Sequence, residues 1–123
     1  MKESRDTNDP AAEFRKAAMA KGDGVGLPAS RDHVLHAQMS RAVAALRLHE
    51  DQGLAALRTL ASDPSPHVRQ WAAAELLSRG DASVIPSLEE LAGARGLLRL
   101  TAETLLREYR AGRLRSPFLS PAP

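Results

Sequence analysis

The sequence predicts an all-α protein, a short α-α superhelix of about six helices, on three observations. Hydrophobic residues fill 43% of its 123 positions while aromatics fill only 3%. The apolar content is therefore mostly Ala and Leu, which favour helices, whereas strands favour β-branched and aromatic side chains. Apolar residues also recur at three- and four-residue spacing in six successive segments, with no period-two alternation. Finally, the last four segments repeat one pattern, so that Val68 falls thirty residues before Leu98.

Residues 1–9 mix charge and polarity without an apolar period and read as a disordered arm. Asp9-Pro10 opens the first helix, with Asp9 as cap for free N–H groups and Pro10 at the first helical position. Phe14, Ala17 and Ala18 share a face of this helix, which extends to about Lys21. Gly22–Pro28 holds three glycines and a proline and reads as a loop. Ser30 is the cap candidate for the longest helix, reaching about His49. Its stripe is Leu35, Met39, Ala42 and Leu46, with Val43 beside it, and Arg31, Arg41 and Arg47 are expected in solvent.

The third helix is expected from about Gln52 to Ser62 through Leu54, Leu57, Leu60 and Ala61. Asp63-Pro64-Ser65-Pro66 stops it and starts the fourth, with Ser65 as cap and Pro66 in the first position. That helix carries Val68, Ala72, Ala73, Leu76 and Leu77, and Gly80 suits a left-handed C-terminal residue. The fifth, about Ala82 to Ala92, has Ile85, Leu88 and Leu91 inward, and Pro86 lies in its first turn, where a missing N–H costs little. Gly93 and Gly96 bracket a turn. The sixth helix presents Leu98, Ala102, Leu105, Leu106 and Tyr109 and ends at Gly112. The folded domain is thus residues 10–112, and residues 113–123 form a flexible tail rich in Pro and Ser.

The repeat is a two-helix unit. Ala72 corresponds to Ala102 and Leu76 to Leu106, while Leu57, Leu60 and Ala61 correspond to Leu88, Leu91 and Ala92 one residue later. Units of this size mark solenoids, in which each buries its apolar face by stacking on the next. The run Asp63-Pro-Ser-Pro-His-Val68-Arg69, followed by Ala72 and Leu76, resembles the second half of a HEAT repeat. The resemblance implies that Asp63 and Arg69 are a structural pair bonding along the stack. Gly93 replaces the Asp in the second copy, as expected of a capping repeat. More widely, Ala12-Glu13-Phe14-Arg15, Pro66 to Ala74 and Leu106 to Leu114 resemble a family of small bacterial HEAT-like domains of unknown function, which brings no catalytic residues to this chain.

Other features exclude classes of chemistry. There is no Cys, so disulfides, thiol catalysis and Cys-ligated metal are ruled out, and a reducing cytoplasmic location is the expected one. Met1 to Pro10 has no apolar stretch and does not read as a secretory signal. No apolar run approaches the ~20 residues that span a bilayer. A net charge of +2 is too small for overall electrostatics to dictate a nucleic-acid partner.

No residue set reads as catalytic, as a cofactor site or as a metal site. His33 and His36 have metal-compatible spacing but lack further ligands, so they read as surface histidines without tight zinc binding. His67, in a first turn, is expected to be exposed. Glu89 and Glu90 are adjacent on a helix, point about 100° apart, and cannot share an acid/base site. Gly22-Asp23-Gly24-Val25-Gly26 lacks the strand and the Lys-Ser/Thr of a phosphate loop.

Two features remain as candidate partner-binding elements. Trp71 is a residue type favoured at binding hot spots, although packing between helices is its commoner fate. Arg107, Arg110, Arg113 and Arg115 crowd the last helix and its exit, with Arg107 four residues from Glu103 and able to pair with it. The expected function is non-catalytic recognition of a protein partner. An immunity- or antitoxin-type binder is the more specific form, resting on size and fold analogy. The alternative is nucleic-acid backbone binding through the C-terminal arginines, against which stand the low charge and scarce aromatics.

Overall fold

The computed structural model describes residues 9–22 and 26–118. Six α-helices follow one another: α1 (Pro10–Lys21), α2 (Ala29–Arg47), α3 (Glu50–Leu60), α4 (Pro66–Ser78), α5 (Ile85–Ala92) and α6 (Gly96–Arg110). Among the described residues there is no strand. Residues 1–8 of the expected arm, 23–25 of the glycine loop and 119–123 of the expected tail lie outside the described residues.

The termini show why these segments are helices. Asp9 accepts a hydrogen bond from the Ala11 N–H at 3.0 Å, and Pro10 occupies the first position of α1. Ser65 Oγ accepts from the Val68 N–H at 3.4 Å ahead of α4. Gly80, at φ 91°, closes α4, with the Asp81 N–H donating to the Leu76 carbonyl and the Gly80 N–H to the Leu77 carbonyl. This 6→1 and 5→2 pattern satisfies carbonyls the helix would leave free. Two starts differ from expectation. Pro28 precedes α2, so Ser30 lies inside the helix and caps nothing. At α3 the helix begins at Glu50 rather than Gln52, bringing Glu50 and Asp51 into a first turn whose dipole favours anions. A 3₁₀ turn, Ala82–Val84, leads into α5.

The helices pack as three antiparallel hairpins, α1/α2, α3/α4 and α5/α6, and α4 lies at the centre, touching α1, α3, α5 and α6. Its sequence suits that position. Ala72, Ala73 and Ala74 are small enough to let neighbours approach, and the whole run Ala72–Leu77 is buried. The core joins Phe14 of α1, Leu35, Met39 and Val43 of α2, Leu57 of α3, Leu76 and Leu77 of α4, Leu88 and Leu91 of α5, and Leu106 of α6.

Beyond α6 the chain turns back. Gly112, at φ 73°, lets the Arg113 N–H reach the Glu108 carbonyl at 2.9 Å. Leu114–Ser116 carries no regular secondary structure and Pro117–Phe118 form a turn; the segment lies on the body rather than leaving it, and Phe118 is buried against the core. The reason is an aromatic side chain within the Pro/Ser stretch, for which the helices provide a site.

Candidate functional site

The C-terminal arginines stand on α6 and the turn after it, and several meet carboxylates there. Arg110 Nη2 donates to Glu89 of α5 at 3.3 Å. Arg113 donates through Nε and Nη2 to the two oxygens of Glu108, at 3.1 and 3.0 Å. The Arg113 hydrogen bond, opposed by some burial and helped by the charges of Arg113 and Arg107, holds the Glu108 carboxyl below its ordinary value. Glu103 accepts from Arg99 at 3.4 Å rather than from Arg107, whose Nη2 instead reaches Thr104 Oγ1 at 3.5 Å. Arg115 is exposed. The positive excess read from the sequence is therefore partly neutralised by Glu89, Glu103 and Glu108.

The outward side of α6 is not purely polar. Leu97, Leu100, Thr104 and Arg107 fall at three- and four-residue spacing on one stripe, opposite buried Ala102 and Leu106. Leu97 is 40% exposed and Leu100 55%. Among the described residues no later helix packs over this stripe.

Trp71 belongs to a different feature. The sequence has four aromatic residues of the Phe, Trp and Tyr type, and Phe14, Trp71 and Phe118 converge at one place with His36. The Phe118 ring centroid lies 5.6 Å from Phe14, 5.4 Å from His36 and 5.6 Å from Trp71. Lys21 Nζ stands 5.5 Å from the Trp71 ring centroid. His36 is thus not the surface histidine expected. It is half-buried, and its Nε2 is 2.9 Å from the Pro117 carbonyl, to which it donates.

Beside this cluster, Glu75 of α4 is wholly buried. It accepts from Arg47 Nη2 at 2.8 Å, from Arg79 Nε at 2.6 Å and from Ser116 Oγ. Arg47, expected in solvent, is instead drawn inward as one of its two cationic partners. Ser116 Oγ also accepts from Arg47 at 3.3 Å and from the Phe118 N–H at 3.1 Å. Neither Glu75 nor Phe118 was singled out in the sequence. The available signals were a carboxylate inside the Ala/Leu run of α4 and an aromatic inside a Pro/Ser tail.

Asp63 and Arg69 are in contact, but not carboxylate to guanidinium. Arg69 Nη1 donates to the Asp63 backbone carbonyl at 3.2 Å. The Asp63 carboxylate instead accepts from Arg15 Nε of α1 at 2.7 Å and from the Ser65 N–H at 2.9 Å. A parallel contact joins Arg58 of α3 to Asp81 at 3.0 Å. Burial would raise the Asp63 carboxyl, and the Arg15 and Ser65 bonds with the charges of Arg15 and Arg69 outweigh it, leaving it below 3.8. At Asp81 the Ser83 hydroxyl bond, against some burial and with Arg58, has the same result.

Folded values below the unfolded one mean stability that is complete above pH 3.8 and lost as pH falls through the folded values. Thermal melts below about pH 4 should therefore be less acid-sensitive in Asp63→Asn than in the wild type. A double-mutant cycle should give a coupling of about 0.5–1 kcal/mol for Arg15 with Asp63. Because Arg69 reaches only the backbone there, its coupling to the Asp63 side chain should be smaller. Equal acid sensitivity in the two proteins would remove the carboxylate from this account.

Among the described residues no group of three His, Cys, Asp or Glu side chains could hold a metal ion. His33 is exposed, while His67 is half-buried with Nδ1 enclosed, against the expectation of exposure. Glu89 and Glu90 are both exposed and turn to different arginines, Arg110 and Arg69. No helix among the described residues is long and apolar enough to cross a membrane.

Three stacked helical hairpins define an α-α superhelical repeat protein. Residues 27–107 match the family model described as HEAT repeats, and the chain belongs to that family. No curated protein and no solved structure matches it significantly. HEAT repeats generally mediate protein–protein interaction and are typically non-catalytic scaffolds.

Proposed function

We propose that this chain is a non-catalytic module that recognises a protein partner through the outward stripe of α6 and the arginines beside it. The observation that carries the reading is the exposure of Leu97 and Leu100 on the same stripe as Arg107. Apolar side chains next to Arg form the centre and rim of protein interfaces. A phosphate-binding face needs unpaired cations instead, and Arg110 and Arg113 already meet carboxylates. That favours a protein over a nucleic acid, and a cytoplasmic partner of the immunity or antitoxin type is the specific form we propose. Trp71, turned towards Phe118, is not part of this surface.

A photo-crosslinking residue at position 100, introduced in the source cell, is expected to give one discrete protein adduct, lost on Leu97→Glu. Labelled duplex and single-stranded oligonucleotides should not bind tightly at physiological salt. Phosphate binding would lower affinity steeply with salt, with a log–log slope near −0.9 per duplex phosphate. Sub-micromolar oligonucleotide binding abolished by changing Arg107, Arg110, Arg113 and Arg115 to Ala would overturn the reading.

A further inference from the structure

We propose that the groove formed by α1, α2 and α4 is a docking site for a short peptide bearing Ser-Pro-Phe, and that Leu114–Phe118 occupies it in cis. The inference rests on the reading of the chain as a protein-interaction module and adds a second site, away from the outward stripe of α6. Three kinds of contact identify residues rather than merely covering surface. The Phe118 ring enters a site walled by Phe14, His36 and Trp71. The Ser116 hydroxyl donates to the buried Glu75 carboxylate and accepts from Arg47. His36 donates to the Pro117 carbonyl.

The receptor side is built from helices and holds its shape by its own bonds. Glu75 is fixed by Arg47 of α2 and by Arg79 at the end of α4. Trp71 remains half-buried with Lys21 near its face. The occupant, by contrast, is a non-helical segment that turns at Pro117–Phe118, with polar contacts to the groove at Ser116 and at the Pro117 carbonyl. Short peptides are recognised in this way, by side-chain pockets on a preformed surface, and preorganisation lowers the cost of binding. A hydroxyl two residues before an aromatic ring is the signature the groove reads. Tethering keeps the cis segment at an effective concentration of roughly millimolar, so the tail acts as a built-in competitor that a partner with the same signature must displace.

Trp71 is the single Trp of the chain, and its emission reports on the groove directly. In the full chain, Phe118→Ala should shift Trp71 emission to the red. A capped peptide Leu-Arg-Ser-Pro-Phe added in trans should reverse the shift, binding the variant at least tenfold more tightly than the wild type. Ala in place of the peptide's Phe, or of its Ser, should each weaken binding at least tenfold. The Ser116→Ala chain, which keeps its ring but loses the hydroxyl anchor, should bind the peptide with affinity between the other two, and it carries the test if Phe118→Ala does not fold.

The proposal is overturned if a folded variant binds no peptide up to millimolar concentration, or binds the Phe-less peptide equally well. It is also overturned if neither variant folds, which would make the tail an integral part of the core. Concentration-dependent dimers of the wild-type chain that exchange tails would overturn it by assigning the groove to a second copy instead. None of these outcomes alters the crosslinking result expected at position 100, which tests the α6 surface separately.

Discussion

Gly53→Ala is expected to destabilise the protein by about 3 kcal/mol or more, because among the described glycines it is the one where an added Cβ would meet backbone most closely. Glycine inside a helix normally weakens it, and Ala there would ordinarily add up to about 1 kcal/mol. Gly53 is the exception because only two residues, Leu48 and His49, separate α2 from α3, and the first turn of α3 lies against the end of α2. A Cβ at position 53 would stand 1.9 Å from the Leu46 carbonyl oxygen and 2.8 Å from its carbon. Both atoms are backbone, so no side chain can swing aside. Relief requires moving α3 relative to α2, which would displace the buried Leu57 and Leu60 from the core. For a domain of this size the loss corresponds to a melting temperature lower by about 12 °C or more. Ala55→Gly, at an exposed position of the same helix, is the control and should cost only about 1 kcal/mol. A Gly53→Ala protein as stable as the wild type would mean that the two helices do not approach this closely.

Glu75→Ala is expected to cost roughly 2–3 kcal/mol, measured by denaturant unfolding. Removing one partner of a buried ion pair commonly costs about 3–5 kcal/mol, because the remaining charge is left uncompensated. Here the cost is lower, since the Arg47 and Arg79 side chains keep 34% and 24% of their exposure and can be hydrated in part. Arg47→Ala should cost less than Glu75→Ala, because Arg79 continues to pair the carboxylate. Ser116→Ala should cost least, about 1 kcal/mol for a hydrogen bond. Added salt should change the order little, because buried pairs are weakly screened. Glu75→Ala within about 0.5 kcal/mol of the wild type, the range of an ordinary surface change, would rule out a structural role for the network.

Helix number and most boundaries were legible in the sequence because each helix carries its own local signals. Asp9-Pro10 and Ser65-Pro66 name their starts, and Gly80 and Gly112 name their ends, through bonds spanning only a few residues. Ser30 misled because a good capping residue says nothing about where the preceding loop delivers the chain, and Pro28 takes the cap position there. The candidate site was less legible. Resemblance placed Asp63 and Arg69 together, yet the Asp63 carboxylate turns to Arg15, 48 positions earlier. Arg47 faces away from the apolar stripe of α2, and only the packing of α4 and the returning tail gives it a buried carboxylate to meet.

By itself the sequence determined the all-α class, the six helical stripes, the repeat that places the chain among HEAT proteins, and the lack of cysteine chemistry. These follow from composition and from periodicities shorter than one helix, which act within a few residues. Tertiary structure alone decided which charges pair, that Gly53 marks a close helix crossing, and that Phe118 returns to Phe14, His36 and Trp71. The physical reason is separation along the chain: Phe14 and Phe118 are 104 residues apart, 118 minus 14. No local preference encodes such a meeting, and only the stacking of three hairpins brings the two ends of the domain to one groove.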